Sequence, residues 1–194
     1  MEEKELTQKL YEMFESVIYS LDNVAKGFLG QNQSVLQKGE SQFIDVLSSN
    51  IEFAEKIIRD GTKSSADEKF ISLLIPLQEI ALAVRNLISK KKAILQRNVI
   101  FSVKAVMEIT ELFNAMKQQF IDTKDYIFTK NPTLKENIKT GKEKIIKMAD
   151  EFAMMHQERL IAGICGTKAS YLYLSLIGSF KTVAKELVGF SEKI

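Results

Sequence analysis

Apolar residues recur along nearly the whole chain at three- and four-residue spacing, the period of a helix with one buried side. Over 4–30 the stripe is Leu6, Leu10, Met13, Phe14, Val17, Ile18, Leu21, Val24, Ala25 and Phe28, and polar residues 31–34 then turn the chain. A second stripe over 35–60 places Phe43, Ile44, Leu47, Ile51, Ala54, Ile57 and Ile58 inward, and Gly61 suits the left-handed position after a helix end. The third helix opens on a capping box, Ser65-Ala-Asp-Glu68, and continues through Phe70, Leu73, Leu74, Leu77, Ile80, Ala81, Val84 and Leu87. Pro76 lies inside it, removes one helix hydrogen bond and is expected to bend it. The segment 90–102 reads as a link. A fourth helix over 102–124 buries Val106, Ile109, Leu112, Phe113, Met116 and Phe120. Asn131-Pro132 supplies a cap residue followed by a first-turn proline, opening a fifth helix that ends at Gly163. The sixth starts near Thr167 and buries Leu172, Leu176, Ile177, Phe180, Val183, Ala184, Leu187 and Phe190. No stretch alternates with period two for long enough to make a strand. Helices joined by short loops pack antiparallel, so the expected fold class is all-α, a six-helix bundle. Phe14, Phe43, Leu74, Leu112, Phe152 and Phe180 are its expected core.

The stripes are also spaced as two copies of one unit. Gly39 and Gly61 stand 102 residues before Gly141 and Gly163, and the same offset pairs Phe43 with Ile145, Leu10 with Leu112 and Phe14 with Met116. In the third helix of each copy the offset becomes 103, pairing Leu77 with Phe180 and Ile80 with Val183, so the second copy has one more loop residue. Such self-similarity predicts a duplicated supersecondary unit, here two three-helix repeats over 1–95 and 96–194 within one domain.

Composition agrees with this picture: of 194 residues 45% are hydrophobic, and two prolines with nine glycines suit long helices better than many turns. A net charge of +2 is too small to imply a nucleic-acid partner. Its distribution is uneven, with six Lys/Arg against eleven Asp/Glu in residues 1–60 and the basic excess beyond them. The sharpest basic run is Lys90, Lys91, Lys92, Arg97 and Lys104, with no acid between its members. It reads either as a solvated helix end or as a docking surface for anionic lipid or an acidic partner. The acidic N-terminus resembles no secretory leader, and no apolar run approaches the roughly 18 residues of a membrane span. The expected location is cytoplasmic.

Catalytic and metal chemistry finds little to work with. One histidine, His156, and one cysteine, Cys165, cannot furnish the three or four ligands of the usual zinc sites. The Glu-x-x-His of di-iron bundles is missing, because Ala153 lies three residues before His156. Phosphate-loop and dinucleotide fingerprints do not occur. The chain is expected not to be an enzyme and to carry no cofactor. Met148, Met154 and Met155 fill an irregular core or line an adaptable docking groove.

At His156-Gln-Glu-Arg159-Leu160-Ile-Ala-Gly163-Ile-Cys165 the sequence resembles the PhoU family, in the version found as the cytoplasmic tail of sodium/phosphate cotransporters. The duplication and Phe101-Ser102 before the fourth helix agree with that likeness, which covers nearly the whole chain. The resemblance implies a non-enzymatic, two-repeat helical regulator of phosphate transport or signalling, docking on transporter or sensor-kinase partners. Beside the protein partners, an anionic membrane surface, met peripherally at the inner face, and a second copy of the chain, as a homodimer, are candidate partners. Many members bind iron or zinc clusters through Glu/Asp-x-x-x-Asp on the third helix of each repeat. This sequence departs there, with Gln78 and Leu82 in one repeat and Lys181 and Lys185 in the other. A lysine ammonium has no lone pair for a cation, so no metal is expected. Two alternatives stand beside the scaffold reading: an anion sensor using Lys181 and Lys185, and a helical interaction protein with no phosphate role.

Overall fold

The structure, a computed structural model, describes residues 1–61 and 64–194. All its regular structure is helical: α1 (Glu3–Leu29), α2 (Gln33–Asp60), α3 (Ser65–Gln96), α4 (Val103–Thr129), α5 (Pro132–Ile161) and α6 (Thr167–Lys193). Helix starts fall where short polar side chains can take a free backbone N–H. Asn32 accepts from the Val35 amide, Ser102 from Ala105 and Asn131 from Thr133. At α3 the cap is Ser64 rather than Ser65, its hydroxyl accepting from the Asp67 amide at 3.1 Å. The expected box is thus displaced by one residue, and the Asp67 carboxylate instead meets the Met1 ammonium at 3.2 Å. Gly61 and Gly163 both adopt positive φ, 76° and 71°, as expected after helix ends.

Two boundaries move. The segment 90–102 is not a link throughout: α3 continues to Gln96, because Leu87, Ile88, Lys91 and Ile94 extend the buried stripe beyond the lysines. Helix α4 likewise continues to Thr129, since Thr123, Tyr126 and Ile127 remain buried. Pro76 is buried within α3, which runs through it without a break.

Helices α1, α4, α6 and α3 close a ring, each packed on the next; α5 lies outside against α4 and α6, and α2 lies outside mainly against α1. Burial of the inward stripes drives this arrangement. Phe180 packs edge-on against Phe113 with centroids 4.9 Å apart, and Phe14 sits between Phe120 and Phe190. Five of the six expected core residues are buried; Leu74 is half-buried. Gln119 on α4 is buried and donates to the backbone oxygens of Ile138 on α5 and Ala184 on α6, tying three helices together.

The expected inward face of α2 is only partly inward. Ile44, Ile51 and Ile58 are exposed, and so is Val106 on α4. The reason lies in α3, which leans on α6 and only lightly on α2. Between α2 and α3 a cavity of about 500 Å³ opens, lined by Ile44, Leu47, Ile51 and Leu82 among others. The composition of α3 corrects the reading that no run approaches membrane-spanning length. Helix α3 contains an 18-residue window of mean hydropathy 1.5, sufficient by length and composition, of which 44% is buried in the bundle.

Gly39 and Gly141, equivalent by offset, do different work. A Cβ on Gly39 would stand 2.6 Å from the Val24 backbone nitrogen, whereas one on Gly141 would meet only the Gln119 side chain at 3.5 Å. Gly39→Ala should therefore destabilise by forcing α1 and α2 apart. Gly141→Ala should stabilise by about 0.5–1 kcal/mol, the usual gain at a helix-interior glycine. Urea unfolding of the two variants should give midpoints displaced in opposite directions, and a shared sign would refute this account of the hairpin.

Candidate functional site

The stretch around His156 and Arg159 forms the end of α5, where one helical face presents residues three apart toward α4 and α6. Arg159 donates two parallel bonds to Glu108 on α4, Nη1 to Oε1 at 2.9 Å and Nη2 to Oε2 at 2.8 Å. Tyr173 on α6 donates its hydroxyl to the same Glu108 Oε2 in a short contact. His156 stacks on the Tyr173 ring with centroids 4.5 Å apart, its Nε2 bonded to Ser170 Oγ at 2.7 Å. Phe101, in the α3–α4 connection, packs edge-on against the other side of Tyr173. His156 Nδ1 and Arg159 Nε are buried without a partner.

The electrostatics follow from burial and from Glu108. The hydrogen-bonded carboxylate of Glu108 raises the Arg159 guanidinium above its already high range. Burial first, and the bond to Glu108 second, push the Tyr173 phenol up, so it stays a donor. Burial, reinforced by the Arg159 charge, holds the His156 imidazole below its usual value. The assembly is a neutral ring on a tyrosine and a closed ion pair. Its geometry suits bracing three helices.

The remaining residues of the stretch turn the chain. Arg159 O accepts from the amides of Ile164 at 2.9 Å and Cys165 at 3.3 Å, around Gly163 in its left-handed conformation. Leu160 and the free thiol Cys165 are half-buried. Ser102 caps α4 while its neighbour Phe101 supports Tyr173, so the two residues before the fourth helix have distinct tasks.

Other sequence-predicted positions scatter. Gln78 and Leu82 are exposed on α3, Lys185 is exposed on α6, and Lys181 pairs with Asp150 on α5 at 2.7 Å. Among the described residues no three His, Cys, Asp or Glu converge as a metal site would need. The basic run is not one surface. Lys90 reaches the Tyr171 hydroxyl at 3.3 Å, Lys91 is buried, and Lys92 pairs with Glu40 at 2.5 Å. Consecutive residues on a helix point about 100° apart, so three adjacent lysines cannot share a face. Arg97 and Lys104 alone are fully exposed.

Ser170 and Tyr173 were not legible as site residues from the pattern of apolar positions, and Glu108 reads there as a stray acid. A signal existed: Glu108 falls on the α4 stripe between Ala105 and Leu112, where a charge needs a partner.

That cluster yields two expectations. Arg159→Ala leaves Glu108 buried and unpaired, and should cost about 3–5 kcal/mol. Adding Glu108→Leu should recover most of the loss in urea unfolding. Because the His156 pKa is depressed in the folded state, its contribution is complete above the unfolded value of about 6.5 and is lost as pH falls below it. The wild-type urea midpoint should thus fall between about pH 6.5 and 5.5, whereas His156→Gln, lacking the chain's one histidine, should stay flat there.

Set against known proteins, the chain matches no family model, no curated protein and no solved structure.

Proposed function

We propose that this protein is a PhoU-like, non-enzymatic regulator of phosphate transport or signalling, a helical scaffold that docks on a transporter or sensor at the inner face of a membrane. The observation that carries docking is the end of the bundle braced by Arg159 and Glu108. There the α3–α4 and α5–α6 connections and the helix ends beside them present Ile100, Val103, Met107, Ile161, Ile164 and Tyr171 to solvent, with Ile100 89% and Ile161 87% exposed. Scattered apolar residues are ordinary on a surface, but a rimmed apolar group marks an interaction site. Arg97, Lys104 and Lys168 are exposed at the same end and suit an anionic or acidic surround.

The phosphate assignment rests on the resemblance through His156, Arg159, Gly163 and Cys165. Two features support the two-repeat reading behind it. Both halves place a positive-φ glycine after their second helix, and both place that helix outside the four-helix ring. The scaffold is preferred to an anion sensor built on Lys181 and Lys185, because Asp150 already engages Lys181.

Deleting the gene should change the rate of phosphate uptake by cells at limiting phosphate. Wild type should restore it, and Ile161→Asp/Ile164→Asp should not, although the variant keeps wild-type circular dichroism. Uptake indifferent to the deletion would remove the phosphate assignment. Full rescue by the variant would remove this end as the docking surface.

A further inference from the structure

Lys91 occupies a position its neighbours reserve for an apolar side chain. It lies on the buried stripe of α3 with Leu87 and Ile88 before it and Ile94 after it, and is 5% exposed. Among the described residues no carboxylate, carbonyl or hydroxyl accepts from its ammonium. Its ammonium lies over the Phe28 ring, 4.8 Å from Nζ to the centroid. An aromatic face compensates a cation only partly, and N–H donors largely withdrawn from water without protein acceptors are costly. Burial accordingly lowers the Lys91 pKa, with no neighbouring carboxylate to oppose it.

The ammonium lines a cavity of about 240 Å³ between the ends of α1 and α3, the α3–α4 connection and α4. Its walls are Phe28, Ile94, Val99, Ile100, Phe101 and Ile109, and Lys91 is the one ionisable residue among its lining. A dry apolar cavity of about 150 Å³ already admits a benzene-sized guest. Gln31 and Asn98, two exposed residues that also line this cavity, have φ of 52° and 50°, the left-handed region that side chains other than glycine enter at a cost. Backbone held in that region gathers at ligand clamps.

We infer that this cavity is a binding site for an amphiphilic monocarboxylate, its apolar body against the Phe28–Ile109 walls and its carboxylate on Lys91 Nζ. One fixed cation matches one negative charge. Free phosphate, more highly charged and strongly hydrated, would need further cationic donors, and Lys91 is the one charged group in the lining, beside the neutral amides of Gln31 and Asn98. This site adjoins the proposed docking end through Ile100 and the α3–α4 connection, but does not depend on the phosphate assignment.

Calorimetric titration with octanoate, 1-octanol and inorganic phosphate tests it. Octanoate should bind saturably with one site, more tightly than octanol, and phosphate should give no heat from this cavity. Lys91→Met keeps the stem and removes the charge. It should weaken octanoate about 10- to 100-fold, the loss of one charged hydrogen bond, while leaving octanol unchanged. Without ligand the variant should melt at or above the wild-type temperature, since a desolvated charge has gone. Val106→Phe, which narrows the cavity from α4, should weaken octanoate and octanol alike. Absence of octanoate binding, equal affinity for octanoate and octanol, or octanoate binding unaffected by Lys91→Met would each overturn the assignment.

Discussion

Glu108 is a carboxylate withdrawn from water where α4, α5 and α6 meet, and that end of the bundle depends on its being answered. An unpaired charge there would cost several kcal/mol, so Arg159 must approach from α5 and Tyr173 from α6. Once both are fixed, His156 has a flat ring to lie on and Phe101 an edge to meet. The connections around them then hold one shape. A purely apolar junction of the same volume would be at least as stable but less particular about register. The bidentate fork, by contrast, fixes where α5 ends relative to α4, and so where Gly163 turns the chain.

Most of the architecture is legible in the spacing of apolar residues, because each helix is long enough for its buried stripe to repeat several times. What the spacing does not contain is how deeply each stripe is covered. Ile44, Ile51 and Ile58 keep the period of an inward face, yet α3 turns toward α6 and leaves them open. The depth of cover is set by which helix a neighbour prefers, a property of pairs of faces and not of one sequence window. Helix ends show the same limit. Tandem serines at 64 and 65 offer two equivalent caps, and the choice falls to Ser64, whose hydroxyl also donates to the Met1 carbonyl.

The candidate site was legible by halves. His156, Arg159 and Gly163 stand out as a local pattern, but Glu108 lies 51 residues from Arg159, and Ser170 lies 14 from His156 across the α5–α6 connection. No single helix joins either pair. Charge runs mislead for a simpler reason: Lys90, Lys91 and Lys92 are adjacent in sequence but face a tyrosine, an apolar cavity and Glu40. Composition treats them as one patch, whereas helix geometry distributes them among three environments of different dielectric.

The peripheral position of α2 has a consequence for how the molecule opens. Close backbone approach at Gly39 and Val24 fastens its first turns to α1, but beyond Asn50 only Ala54 and Ile57 are buried, and the half-buried Phe53 meets α3 edge-on at Phe70. Free energy of local opening follows buried contact, and elements with least of it separate at a fraction of the global cost. The later half of α2 is therefore expected to open at less than the global cost. Such a fluctuation enlarges the cleft toward α3 while the ring of α1, α4, α6 and α3 stays intact, which gives the fold a compliant flank on a rigid frame.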